Sequence, residues 1–338
     1  MNKIRIGLVG LGRLGFKHAE NISRVIKHAE LKAVCSIVPD ELGRAKAELG
    51  AVNCFTDYTE MLDKADLDAV AIVSSSDLHG AQTVEALNRG LHVFCEKPLG
   101  VSFQECLEVE KAVAEHKDLV FMLGFMRRYD PSYAYAKKKI DEGYIGRPIL
   151  FRGYSVDPES AIGGALKYAA HSAGQFIDMG VHDIDLARWF LQSEPKSVYA
   201  IGGCFAHDEY AKYGDGDNVS ALMQFENESM AFLLAGRTAP HGYNVETEII
   251  GTKGQIRIGA VPQKNLVELF DQSGVTKECS QSFPERFHEA FANEMQEFVD
   301  CILEGRKPEV TVQDGVRSTQ IAEWATQSFK NKELIKIG

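Results

Sequence analysis

The sequence predicts a two-domain α/β protein, with a parallel sheet in its first third and a mostly antiparallel sheet in the remainder. Three observations support this prediction. The chain has 338 residues, which corresponds to two domains at roughly 100–200 residues each. Up to about Gly124, short apolar runs alternate with helical segments of about 10–15 residues. Beyond that point, several strand-like runs follow one another without helices between them.

The first part of the chain has five predicted strands separated by predicted helices. The run at 69–73 is unbroken and apolar, which is typical of a strand buried on both faces. Strands joined by helices imply right-handed crossovers and a parallel sheet. The predicted strands are residues 4–9, 31–35, 69–73, 91–95 and 119–123, and the predicted helices are residues 14–28, 39–49, 80–89 and 103–116.

The second part begins with a predicted helix at about 131–142. A stretch rich in small residues, 160–174, precedes another predicted helix at about 175–191. The consecutive strands and hairpin-type turns imply a large, open, mostly antiparallel sheet. We therefore predict domains at 1–124 and 125–338. The predicted strands are residues 148–156, 197–205, 217–225, 229–236, 244–251, 255–259 and 265–270, and the closing helices are residues 284–303 and 313–329.

The composition argues against several functional classes. Acidic residues outnumber basic ones by 48 to 37, whereas nucleic-acid binding requires a basic surface, so we expect no nucleic-acid partner. There is no apolar stretch of about 18 residues, and the N-terminal residues lack the pattern of a signal peptide, so we expect no membrane association. The seven cysteines show no CxxC spacing, which favours reduced thiols in a cytoplasmic protein.

A glycine-rich turn follows the first predicted strand and opens the first predicted helix. Gly10, Gly12 and Gly15 match the GxGxxG pattern, with Arg13 and Leu14 between the last two glycines. In this pattern the glycines allow a tight turn, close approach of a pyrophosphate, and close packing of helix on strand. The pattern lies in the strand–helix–strand context that it requires. It therefore predicts a dinucleotide-binding Rossmann domain at the N-terminus.

The residue after the second predicted strand leaves the choice of dinucleotide open. A carboxylate is usual there, about 20 residues after the glycines, where it binds the adenosine ribose. This chain has Ser36 at that position, and Asp40 lies four residues later. Arg13 could pair with a 2′-phosphate, but no basic residue directly follows Ser36. We favour NAD as the cofactor, and NADP stays open.

Two further motifs contain groups suited to acid–base chemistry. Glu96, Lys97 and Pro98 follow a predicted strand, and ligands bind at the carboxyl ends of parallel strands. Asp178 and His182 are four residues apart in a predicted helix, so they would share one face. A carboxylate beside an imidazole orients it for general-base catalysis. Alternatively, the pair could ligate a metal or serve only the fold, but no further ligand cluster is evident and we expect no metal.

Together these motifs resemble the glucose–fructose oxidoreductase / inositol dehydrogenase family over essentially the whole chain. The order is the glycine loop, the Glu96-Lys97-Pro98 turn, then Asp178 and His182. The run from Gly124 to Asp130 is similar to the inositol 2-dehydrogenase branch. The resemblance implies an N-terminal Rossmann domain and a C-terminal α/β domain with a large open antiparallel sheet.

The resemblance also implies roles for individual residues. His182 would accept the proton of the reacting hydroxyl, Asp178 would support His182, and Lys97 would hydrogen-bond the same or a neighbouring oxygen. These three would form the catalytic group and also contact substrate. The further substrate-binding residues implied are Arg127, Asp157, His171 and Tyr243, and the cofactor-binding residues are Gly10, Gly12, Arg13, Leu14, Gly15, Ser36, Ser74, Ser75, His79, Glu96, Lys97 and Pro98.

The implied activity is oxidation of a cyclic polyol hydroxyl to a ketone by hydride transfer to NAD or NADP. The stretch from Ser160 to His171 departs most from the inositol dehydrogenases, so it leaves the isomer open, and we favour scyllo-inositol over myo-inositol. An aldose 1-dehydrogenase, a keto-sugar reductase and a non-catalytic nucleotide-sensing regulator are the alternatives. The run 230–235 is apolar on both faces of a strand, which together with the resemblance predicts a homotetramer.

Overall fold

The structure is a computed structural model that describes residues 3–50, 53–259 and 263–337. It divides the chain into two compact units, each with its own sheet. The first unit comprises Met1–Tyr129 and Glu289–Thr319, and the second comprises Asp130–His288 and Gln320–Gly338. The chain thus returns to the first unit after forming most of the second. The predicted domains, 1–124 and 125–338, did not include this return.

The first unit contains a six-stranded parallel sheet in the order β3-β2-β1-β4-β5-β6. This order reverses between β1 and β4, which is where an open parallel sheet binds its ligand. The strands are β1 Ile4–Val9, β2 Ala29–Cys35, β3 Asn53–Phe55, β4 Ala69–Ile72, β5 His92–Glu96 and β6 Phe121–Gly124. The helices between them are α1 Arg13–Arg24, α2 Pro39–Leu49, α3 Tyr58–Lys64, α4 His79–Asn88 and α5 Phe103–Glu115.

The second unit contains a seven-stranded sheet, and β13 and β14 form a separate hairpin. The sheet order is β12-β11-β7-β10-β9-β8-β15, and its one parallel pair among the described strands is β7 with β10. The strands are β7 Pro148–Pro158, β8 Pro195–Gly203, β9 Asn218–Phe225, β10 Met230–Ala239, β11 Asn244–Gly251, β12 Gln255–Ile258, β13 Gln263–Asp271, β14 Gly274–Cys279 and β15 Ile335–Lys336.

The remaining helices of the chain are α6 Pro131–Asp141, α7 Ile162–Tyr168, α8 Val181–Leu191, α9 Phe283–Arg286, α10 His288–Glu304 and α11 Val312–Asn331. Of these, α8 packs on β7 and β10 of the seven-stranded sheet, whereas most of α10 lies in the first unit. Aromatic rings fill the core of the second unit: Tyr133 lies 6.4 Å from Phe190, and Phe151 lies 6.3 Å from the same ring. In the first unit, α10 adds Met295 and Phe298 to the core formed by α1 and the parallel sheet.

The predicted α/β fold class, with a parallel N-terminal sheet and a mostly antiparallel C-terminal one, is confirmed. Two local features were not predicted. The segment predicted as one helix at 175–191 begins with a π-helix, Phe176–Gly180, before α8. The stretch of small residues contains α7, which the glycines there had obscured. Across the described part of the chain, no helix combines the length and apolar character that crossing a bilayer requires.

Candidate active site

The glycine loop lies at the carboxyl end of β1, where the strand order reverses. Gly10 has φ +88°, a conformation that favours glycine, and its N–H donates to the Cys35 carbonyl at 2.9 Å. A Cβ on Gly15 would overlap the Gly10 carbonyl, so that position also requires glycine. By contrast, a Cβ on Gly12 would meet open space. The loop therefore has a tight turn, a close helix contact and one open glycine, as a bound pyrophosphate requires.

Helix α1 begins directly after this open glycine. Gly12 is its N-cap, Arg13 its first residue and Leu14 its second, and no side chain caps the helix. The first N–H groups of a helix have no intrahelical partners and favour an anion. The residues present therefore fit the phosphates of a dinucleotide.

A carboxylate from the following helix lies beside the residue at the end of β2. Ser36 is buried, and its hydroxyl donates to Glu41 Oε2 at 2.5 Å. Glu41 lies in the first turn of α2. The next residue, Ile37, is 86% exposed. Sequence reasoning considered Asp40 here, which is exposed, and missed Glu41.

The loop after β4 is fixed by its own polar contacts. The Ser74 hydroxyl donates to Gln82 Oε1 at 2.6 Å, and Ser75 is the N-cap of a short 3-10 helix. His79 Nδ1 lies 2.7 Å from the Pro98 carbonyl, and its Nε2 lies 3.2 Å from the Ser74 carbonyl. Burial lowers the pKa of His79, although these two carbonyl contacts act in the opposite direction. The His79 side chain thus links two loops, and a contact from it to a cofactor stays a prediction.

The Glu96-Lys97-Pro98 turn follows β5 directly. Glu96 is 4% exposed, and its Oε1 lies 2.8 Å from His18 Nε2 on α1. Its other carboxylate oxygen, Oε2, accepts the Lys97 backbone N–H at 3.2 Å. The Lys97–Pro98 peptide bond is cis. Glu96 therefore serves the packing of the first unit as well as the turn that presents Lys97.

Arg127 lies in a short 3-10 helix, Met126–Tyr129, at the end of the first unit. Arg127 is 2% exposed. The neighbouring Arg128 pairs with Asp314 at 2.9 Å, which attaches this segment to α11. A buried arginine of this kind is held in place by the fold, and its contact with substrate stays a prediction.

Asp178 and His182 lie in the second unit, on either side of the junction between the π-helix and α8. His182 is 7% exposed. A π-helix has wider turns than an α-helix, so a spacing of four residues does not by itself place both side chains on one face. The two residues therefore lie on a π-turn followed by an α-helix, and not on one continuous α-helix as predicted. Such π-turns often occur at functional sites.

A buried arginine joins two of the predicted substrate-binding residues. Arg237, near the end of β10, forms ion pairs with Asp178 and with Asp157, which is at the end of β7. Its Nε donates to Gln175 Oε1 at 3.2 Å. Burial would lower the pKa of Arg237, but the attraction of Asp178 and Asp157 outweighs this and raises it above its ordinary value. Both carboxylates are therefore held beside one permanent cation.

Sequence reasoning missed Arg237, although the sequence contained a signal for it. An arginine inside an otherwise apolar strand must find a partner when that strand is buried. The two carboxylates keep some access to solvent, with side-chain exposures of 21% for Asp157 and 14% for Asp178, against 9% for Arg237. The arginine thus lies behind the two acids, and their oxygen atoms form a polar surface suited to accept hydrogen bonds from hydroxyl groups.

The last two predicted substrate residues have different surroundings. His171 is exposed and follows α7, with its N–H donating to the Tyr168 carbonyl at 2.9 Å. Tyr243 is 5% exposed, and its ring lies edge-on to Phe287 at 6.3 Å. The packing of Tyr243 indicates a contribution to the core, whereas His171 remains accessible. Substrate contacts by either residue stay predictions.

The sequence and the fold match known proteins along the whole chain. Residues 4–125 match the oxidoreductase family with an NAD-binding Rossmann fold, and residues 133–257 match the GFO/IDH/MocA C-terminal domain. The chain is 34% identical to scyllo-inositol 2-dehydrogenase (NAD(+)) of Bacillus subtilis, covering 99% of this chain and 97% of that protein.

Two solved structures are also similar. Scyllo-inositol dehydrogenase from Lactobacillus casei, solved with bound NAD(H) and scyllo-inositol, is 47% identical with a TM-score of 0.95, covering 99% of each chain. Myo-inositol 2-dehydrogenase from Lactobacillus plantarum is 41% identical with a TM-score of 0.98, covering 100% of each chain. The resemblance inferred from the motifs is confirmed, and the chain belongs to the GFO/IDH/MocA family of NAD-binding oxidoreductases.

Proposed function

We propose that this protein oxidises one hydroxyl group of an inositol to the ketone, with NAD as the hydride acceptor. The observation that carries the proposal is the pair of carboxylates, Asp157 and Asp178, held by the buried Arg237. A cyclic polyol presents many hydroxyl donors in fixed directions, and ionised carboxylates are strong acceptors for them. The histidine that follows, His182, supplies a group able to take a proton near neutral pH.

The mechanism assigns each group a separate task. His182 accepts the proton of the reacting hydroxyl, so the oxygen can form a carbonyl bond as the carbon loses its hydride. Asp178 supports the resulting imidazolium electrostatically, and Lys97 donates a hydrogen bond to the reacting oxygen or its neighbour. When bound, NAD supplies the electron acceptor, the nicotinamide ring. The products are an inosose, NADH and one proton, so atoms and electrons balance.

The preference for NAD rests on Glu41. Its carboxylate is hydrogen-bonded to Ser36 at the end of β2, where the adenosine ribose of a dinucleotide lies in this fold. A carboxylate there can accept from the ribose hydroxyl and repels a 2′-phosphate. We therefore propose that Glu41 takes the role usually filled by an acidic residue directly after the strand.

Among the inositol isomers, we propose scyllo-inositol as the preferred substrate. The similar dehydrogenases named above include both scyllo- and myo-inositol enzymes. The 47% identity to the Lactobacillus casei scyllo-inositol enzyme, against 41% to the Lactobacillus plantarum myo-inositol enzyme, supports this choice.

We also propose that the protein is a cytoplasmic homotetramer. Several apolar side chains on one face of the seven-stranded sheet are exposed, namely Ile201 (59%), Leu222 (57%) and Met230 (49%). An apolar sheet face of this kind is typical of a subunit interface. Light scattering at micromolar concentration tests the assembly, and a monomer mass would contradict it.

Initial rates test the reaction directly. Scyllo-inositol, myo-inositol and D-glucose are each supplied with NAD or NADP, and the absorbance of reduced nicotinamide is followed. We expect turnover with an inositol and NAD, fastest with scyllo-inositol. Turnover with glucose alone would move the assignment to an aldose dehydrogenase. Nucleotide binding with no turnover of any of the three would contradict the proposal and favour a nucleotide-sensing role.

A further inference from the structure

Three ionisable side chains meet inside the first unit, away from solvent. His18 lies on α1, Glu96 ends β5 and Glu294 lies on α10, with exposures of 0%, 4% and 0%. His18 Nε2 is 2.8 Å from Glu96 Oε1 and 3.9 Å from Glu294 Oε1. We call these residues the buried triad. Nothing in the reaction described above uses His18 or Glu294.

The surroundings of the triad are apolar. The His18 ring lies 5.4 Å from the ring of Phe94 and 5.5 Å from the ring of Phe291. Among the residues that the structure describes, neither carboxylate oxygen of Glu294 has a hydrogen-bond partner. Burial raises the pKa of Glu294 well above its ordinary value, and the charge of Glu96 raises it further. Two carboxylates this close in an apolar site repel each other, and the neutral form is favoured for Glu294, the one whose oxygen atoms accept no hydrogen bond from the described residues.

The triad is connected to the turn that presents Lys97. One oxygen of Glu96 faces His18, and the other accepts the Lys97 backbone N–H at 3.2 Å. The Glu96 carboxylate therefore bridges the His18 ring and the backbone N–H of Lys97.

We propose that His18, Glu96 and neutral Glu294 form a positioning group that fixes Lys97, an inference that rests on the proposed role of Lys97 in polyol oxidation. In this group His18 donates its Nε2–H to the Glu96 carboxylate. Glu294 remains a carboxylic acid, so the group contains only one carboxylate charge. None of the three touches the reacting atoms: they act through the backbone of Lys97.

Substitutions separate this role from general support of the fold. E294Q replaces a neutral acid by a neutral amide of the same shape, so kcat and KM should stay within about twofold of wild type. H18L removes the donor to Glu96 and should lower kcat about 100-fold, as expected when a catalytic group is misplaced by about 1 Å. NAD affinity should change much less than kcat does. H18Q retains an N–H donor, should recover part of kcat, and covers the case in which H18L does not fold.

Two readouts do not depend on turnover. At neutral pH the infrared spectrum should contain the band of a protonated carboxylic acid, and E294Q should remove it. The matched control is E297Q on the same helix, where Glu297 pairs with Arg306 at 2.6 Å, and this variant should keep the band. Acetylation of Lys97, measured by mass spectrometry, should change rate in H18L but not in E294Q.

These measurements distinguish the proposal from the proposed function. Failure of the wild type to oxidise any polyol would overturn the reaction, while the infrared band and the Lys97 acetylation rates would still decide the positioning group. The positioning group would be overturned by unchanged kcat and Lys97 reactivity in H18L, by the absence of the acid band, or by strong loss of activity in E294Q. One tightly bound metal ion per wild-type chain, lost in E294Q, would also overturn it.

Discussion

Removing the Arg237 guanidinium should strongly destabilise the second unit. The side chain is 9% exposed and is the shared partner of Asp157 and Asp178. R237M retains most of the apolar stem but leaves two carboxylates near the interior without their cation. Breaking a buried pair by removing one partner costs about 3–5 kcal/mol. At about 2–4 °C per kcal/mol, the midpoint of thermal unfolding should fall by roughly 6–20 °C at neutral pH.

The pH dependence identifies the cause of this loss. Acidification protonates the two carboxylates in R237M, so the difference from wild type should shrink as pH falls. R237K retains the charge but lacks the planar fork that serves two acids at once, so it should lie between wild type and R237M. Adding D157N to R237M removes one uncompensated charge and should recover part of the stability.

Circular dichroism melts across a pH series measure these differences. The control is R257M in the same sheet, where Arg257 is 52% exposed and its partner Glu248 keeps Arg152 at 2.8 Å. That change should cost no more than about 1 kcal/mol. A midpoint for R237M within about 2 °C of wild type, less than 1 kcal/mol, would refute the reasoning, and so would a difference independent of pH.

Three further predictions follow from other parts of the molecule. E41Q should raise the ratio of NADP to NAD turnover at least about fivefold, because unit charges 4 Å apart repel by about 1 kcal/mol even in water; an unchanged ratio in initial-rate assays would contradict it. G15A should abolish NAD binding by calorimetry and cost about 1–3 kcal/mol, whereas G43A, whose Cβ would meet open space within α2, should be neutral or stabilising. Burial lowers the pKa values of His79 and His92 from 6.5, so on acidification the unfolded chain binds protons at these residues before the folded chain does. The free energy of unfolding should therefore fall as the pH drops below about 6.5. A free energy of unfolding that does not change with pH, measured by denaturant titration, would contradict this prediction.

Local patterns predicted most of the fold. The alternation of apolar runs and helices gave five of the six parallel strands, because buried strands such as β4 are apolar throughout. The missed strand, β3, has only three residues, too few to show a period. The return of α10 to the first unit was not predictable from pattern, because an amphipathic helix shows that it packs on a core but not on which one.

Only those parts of the site that belong to a single local motif were predicted from the sequence. The glycine loop is a local device, so its sequence indicated its geometry. Arg237 and Asp178 are 59 residues apart, and no local pattern connects them. The same holds for His18 and Glu96, separated by 78 residues. Glu41, proposed above as the carboxylate for the ribose, was missed for a different reason: it lies in the next helix and not at the strand end.

Turnover of scyllo-inositol with NAD by wild type and H182A, measured side by side, tests the central claim most directly. General-base catalysis contributes about 10²–10⁴-fold to the rate, so the kcat of H182A should be at least about 10²-fold below that of the wild type. Its affinity for NAD should be unchanged, because the substitution leaves the glycine loop intact. Near-normal turnover in H182A, or no NADH formed by the wild type from either inositol, would contradict the account.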